Sequence, residues 1–115
     1  MKQQNRYTKK EHFFLLKLIY EEDHLDIEIL AHLAFKEFNE IRGIRSYMVR
    51  IADIRNYFLN EESNIFKKAL RNDIKEFMNR KSKENEKFRE VFIYKIKSLR
   101  NFNFFFHSGG ILNTF

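Results

Sequence analysis

The chain has 115 residues, no cysteine, no proline and only three glycines. That length supports one hydrophobic core and leaves no room for a second. The missing cysteines exclude a disulfide framework and any thiolate metal site. The net charge is +6 and unevenly spread: residues 1–60 carry 10 Lys and Arg against 9 Asp and Glu, and residues 61–115 carry 12 against 7.

A basic half suits a polyanion, because phosphates that are neutralised release their counterions. The same charges also serve as an ordinary solvated surface. No run approaches the ~18 apolar residues of a membrane span. The opening MKQQNRYTKK has no apolar core of a signal peptide, so a cytoplasmic protein without membrane contact is expected.

Without proline the chain reads as helix after helix. Thr8 and Glu11 form a capping box, and Phe13, Phe14, Leu15, Leu16, Leu18 and Ile19 make a wide apolar stripe on a first helix over about 8–22. Asp23 or Asp26 caps a second over about 26–42, with Ile27, Leu30, Ala31, Ala34, Phe38 and Ile41 on one face. Gly43 follows where a left-handed C′ residue belongs. Ser46 is the expected cap of a third helix over about 46–59, with Ile44, Tyr47, Met48, Ile51, Ile54 and Phe58 at helical spacing.

Asn60–Ser63 reads as a turn, and Phe66, Leu70, Ile74 and Phe77 place a fourth helix after it. The stretch NRKSKENEK, 79–87, contains nothing apolar: either a solvated helix crosses it or the chain turns at Ser82. Phe88, Val91, Phe92, Ile96 and Leu99 define a fifth helix to about Arg100. The expected fold is all-α, a compact bundle of about five helices in a single domain spanning 1–115, with an irregular aromatic C-terminal tail.

The histidines are poor metal ligands. His12, His24 and His32 have no partner histidine at i+3 or i+4, and Glu28, His32 and Lys36 form a surface ladder. The acidic residues from Glu21 to Glu28 lack the spacing of a calcium loop. No metal and no cofactor is expected. A helix-turn-helix around Gly43 would pack Phe38, Ile44, Val49 and Ala52 and present Arg45, Tyr47 and Arg50 to a groove. Arg42 stands where that motif wants an apolar residue, which favours an ordinary helical hairpin.

The stretch 98–110, SLRNFNFFFHSGG, gathers a cation, an amide, an imidazole and a glycine pair. A guanidinium holds phosphate through two hydrogen bonds, and an imidazole near neutral pKa moves a proton. Arg100 and Asn101 followed by His107 resemble the R-x(4–6)-H signature of HEPN domains. Leu99-Arg100-Asn101 and His107-Ser108-Gly109-Gly110 are also similar to members that read LRN and HGG. HEPN domains are small helical bundles, often dimeric, and the active ones are metal-independent ribonucleases of defence systems. The resemblance implies Arg100 on the phosphate, His107 as general acid or base and Asn101 as a positioning group.

Three functional classes therefore stand. One is a HEPN-like ribonuclease or an inactive relative. Another is a mobile-element or phage-type protein that docks on and inhibits a nuclease or nucleoprotein, or pairs as a homodimer, through Phe102, Phe104, Phe105, Phe106 and Phe115. The alternative to these aromatics as an interface is a tail folded back over its own bundle. The third is a module that binds RNA or another nucleic acid through Lys67, Lys68, Arg71, Lys75, Arg80, Lys81, Lys83 and Lys87.

Overall fold

The computed structural model describes residues 6–22, 26–60 and 68–100. Five helices follow one another: α1, Lys9–Glu21; α2, Ile27–Glu37; α3, Ile44–Leu59; α4, Lys68–Glu84; and α5, Phe88–Ser98. The expected all-α bundle is the observed one, with no strand among the described residues. No helix among them is long and apolar enough to cross a membrane.

α1 starts on its capping box: the Glu11 amide donates to Thr8 Oγ1 at 3.1 Å and the Thr8 amide to Glu11 Oε1 at 2.9 Å. Its last turn carries no cation of its own. Lys95 of α5 supplies one, donating to the carbonyls of Tyr20 and Glu22 at 2.9 and 3.3 Å. That places positive charge where the helix dipole is negative.

α2 is capped by Asp26, whose carboxylate accepts from the Glu28 amide at 2.9 Å. It stops at Glu37, four residues sooner than its apolar periodicity predicts. Asn39 and Glu40 take positive φ, 53° and 59°. The Glu40 amide reaches back to the Phe35 carbonyl at 2.9 Å and the Asn39 amide to Lys36 at 3.2 Å. This is a Schellman close in which asparagine does the work expected of glycine. Ile41 consequently leaves the core and is 54 % exposed.

Gly43 instead opens α3, in extended backbone at φ −73° and ψ 158°. The expected roles of Gly43 as left-handed stop and Ser46 as cap are therefore both corrected. Ser46 lies inside the first turn, and its hydroxyl meets the Tyr7 hydroxyl at 2.6 Å. α4 runs straight through Ser82 to Glu84, and the chain turns at Asn85, whose side chain accepts from the Lys87 amide at 2.9 Å. Ser63 of the expected turn and the apolar Phe66 lie outside the described residues.

α1 packs on α4, α2 and α5, while α2 and α3 form the broadest helix pair. Leu15, Leu16, Ile19, Leu30, Ile51, Ile54, Phe92 and Ile96 are wholly buried where these helices meet. Each such side chain contributes about 1.5–3 kcal/mol relative to exposure. Val91, expected among them, sits on the outer side of α5 at 36 % exposed. The end of α5 is tied to the start of α2, where the Ile27 amide donates to the Arg100 carbonyl at 2.9 Å.

Candidate nucleic-acid interface

The sequence-selected cations of α4 divide by face. Lys68, Lys75, Arg80 and Lys83 are exposed, as is Lys87 in the turn beyond, whereas Arg71 and Lys81 are half-buried. Lys67 lies outside the described residues. Arg80 pairs with Glu76 one turn back and also stands 5.4 Å from the Phe13 ring centre. Lys81 lies 5.8 Å from the Phe77 ring.

Those two cations form one wall of a groove of about 630 Å³ between α1, α4 and the end of α2. Lys10 and Lys17 form the opposite wall. The floor is phenylalanine: Phe13 meets Phe77 edge-on at 5.3 Å, and Phe14 meets Phe38 edge-on at 5.4 Å. Asn39, in its left-handed conformation, closes one end. Glu37 and Glu84 are the groove's carboxylates against four cations. Lys10 and Lys17 take part in no ion pair among the described residues.

α1 builds its half of the groove by simple periodicity. Lys10, Phe13, Phe14 and Lys17 fall at i, i+3, i+4 and i+7, one helical face. The signal is present in the sequence, but the apolar residues of α1 read as core and the first half of the chain is nearly neutral. Both features hide a local cluster of cations. The groove is apolar at its floor and polar at its edges.

A second polar cluster is buried, and sequence reasoning missed it. Glu11 and His12 are each 1 % exposed. Glu11 accepts from Arg42 twice, at 2.7 and 2.8 Å, and from the Tyr47 hydroxyl at 2.8 Å. Burial pushes the Glu11 pKa up, but Arg42, the Thr8 amide and Tyr47 overcome it and hold the carboxyl down at about 2. Burial and the neighbouring Glu11 push the Tyr47 hydroxyl well above its usual range.

His12 Nδ1 lies 2.7 Å from Asp73 Oδ2. Burial lowers the imidazole pKa, against the opposing pull of Asp73. The Tyr7 ring stacks on His12 at 5.5 Å and is flanked by Arg42 at 3.9 Å and Arg50 at 4.1 Å. The helix-turn-helix reading fails here: Tyr47 is fully buried, Val49 is 42 % exposed, and Arg50 lies against Tyr7 rather than facing a duplex. Closed to solvent at Glu11 and His12, this cluster fixes the entry to α1 and joins it to α3 and α4.

Among the described residues no group of three or more His, Asp or Glu side chains is arranged to hold a metal. Arg100 is exposed at the end of α5. Asn101, His107 and the aromatic residues Phe102, Phe104, Phe105, Phe106 and Phe115 lie outside the described residues. No protein family, curated protein or solved structure matches this chain.

Proposed function

We propose that the protein is a nucleic-acid-binding module whose contact surface is the α1–α4 groove. The observation that carries this reading is four cations, Lys10, Lys17, Arg80 and Lys81, set around a phenylalanine floor. Cations that track a phosphate backbone beside aromatic rings that accept bases are the two elements of sequence-tolerant nucleic-acid binding. Sequence readout is not part of the proposal.

The test is fluorescence anisotropy of a labelled RNA 12-mer against wild type and the double variant Lys10→Gln/Lys17→Gln. Binding should weaken at least tenfold at low salt. The slope of log K against log[salt] should become shallower by roughly 1 to 2 units. Unchanged affinity and slope would overturn the reading.

The resemblance at Arg100, Asn101 and His107 carries a second proposal, metal-independent cleavage of the bound RNA. The exposure of Arg100 supports it, since a phosphate must reach the guanidinium. Its backbone is anchored through the Ile27 amide, so the guanidinium starts from a fixed point. Cleavage is tested separately from binding, by substitution of Arg100 and His107.

A further inference from the structure

α4 has an aromatic groove on its other side as well. This second groove, about 710 Å³, lies between α4, the end of α3 and the start of α5. Tyr57 and Phe58 form its aromatic wall, with their rings edge-on at 5.1 Å. Lys75 and Arg89, both exposed, supply its positive charge, Asn79 and Ser82 its neutral polar groups, and Glu76 a carboxylate that is already paired with Lys9 and Arg80.

The apolar-free stretch that begins at Asn79 separates the two grooves. Arg80, Lys81 and Glu84 line the first, Asn79 and Ser82 line the second, and Lys83 is exposed on the crest between them. A solvated surface alone needs only exposed charge there. It does not require aromatic hollows on both flanks, each with cations at its edge.

We infer that a single strand of nucleic acid crosses α4 over Asn79–Lys83 and places a base in each groove. This rests on the proposed binding function and adds to it a path, a second stacking site and a ligand class. A duplex is excluded because its bases are paired and stacked, and cannot leave to reach Phe14 on one side and Tyr57 on the other. A helix with its side chains is roughly 10–12 Å across, so a trinucleotide occupies one groove only. A strand of about 10 nucleotides reaches both, within the usual range of single-strand sites.

The experiment compares a pyrimidine RNA 3-mer, a 10-mer and a 10-base-pair duplex of matching sequence, by anisotropy or by competition. Wild type should bind the 10-mer at least tenfold more tightly than either of the others. Lys75→Glu/Arg89→Glu changes only exposed side chains, so circular dichroism should be unaltered. It should weaken the 10-mer at least tenfold and the 3-mer less than twofold. Tyr57→Leu, which keeps bulk and removes the stacking ring, should weaken the 10-mer roughly 5- to 100-fold.

Duplex binding equal to single-strand binding overturns the inference. So does a 10-mer affinity that ignores both second-groove variants while Lys10→Gln/Lys17→Gln still weakens it; in that case the one-groove reading survives. If Lys10→Gln/Lys17→Gln also has no effect, the binding function falls with it.

Discussion

Arg42 reaches Glu11 across 31 positions of sequence and closes on both carboxylate oxygens, Nε on Oε2 at 2.7 Å and Nη2 on Oε1 at 2.8 Å. Their side chains are 7 % and 2 % exposed. The same carboxylate completes the capping box of α1 and accepts from Tyr47. One acidic residue therefore caps the start of a helix, pairs with a loop and receives a hydroxyl from α3. A buried carboxylate survives only when its lone pairs are filled in this way.

Arg42→Met should destabilise the fold by about 3–5 kcal/mol, the usual cost of leaving one partner of a buried ion pair without the other. Urea denaturation measures it. Arg42→Lys should recover only part of the loss, because an ammonium lacks the planar fork that reaches both oxygens. The pair Glu11→Gln/Arg42→Met should cost less than the two single changes added together. Additive costs would show that the two side chains are not coupled.

Acid should weaken the protein in two stages. His12 has its folded pKa below the ordinary 6.5 because it is buried. The unfolded chain then binds the extra proton first, so stability is full above about 6.5 and falls as the pH drops below it. Glu11, depressed from 4.5 to about 2, adds a second loss as pH falls through that window. The Glu11 part is worth on the order of 3 kcal/mol. His12→Gln should flatten the upper stage and leave the lower one; denaturant midpoints between pH 7 and pH 2 give both.

Much of the fold was legible because apolar spacing specifies a buried helical face. Ile27, Leu30, Ala31 and Ala34 are buried as their period requires. Boundaries were less legible. Ile41 continued the α2 period, but Asn39 accepted a left-handed conformation and turned the chain first. Composition gives no sign of that, since asparagine is equally at home in a helix cap, a turn or a surface.

The groove was half legible. Arg80 and Lys81 stood out in a basic stretch, but their partners Lys10 and Lys17 sit in a segment whose charge balances. Only the packing of α1 on α4 brings the four together. The polar cluster was illegible for a related reason. Arg42 looked like an obstacle to a motif, and nothing local links it to a glutamate 31 residues earlier.

Gly43 supplies a prediction of opposite sign to the one its sequence position suggests. A left-handed C′ glycine resists replacement, but this one is extended, opens α3 without a side-chain cap, and has nothing within 4 Å of the place a Cβ would occupy. Gly43→Ser should stabilise the protein by about 0.5–1 kcal/mol, through a less flexible unfolded chain and a hydroxyl cap for the first turn. A higher urea midpoint at unchanged slope is the expected result. A lower midpoint would mean that the glycine carries backbone strain.

Arg100 separates binding from cleavage. Its carbonyl, not its guanidinium, ties α5 to α2, and the side chain is exposed. Arg100→Ala should therefore fold with an unaltered denaturation curve and bind RNA through the α1–α4 groove within about twofold of wild type. The nuclease proposal gives the guanidinium a different task, neutralising the phosphate while His107 moves a proton. Wild type should then cut single-stranded RNA with EDTA present, and Arg100→Ala and His107→Ala should each slow cleavage by about 10²–10⁴. The readout is product formation on a gel beside anisotropy on the same samples, so that a binding defect is not mistaken for a catalytic one. RNA left whole by wild type, with groove binding intact, would remove the nuclease proposal and leave a protein that holds RNA without cutting it.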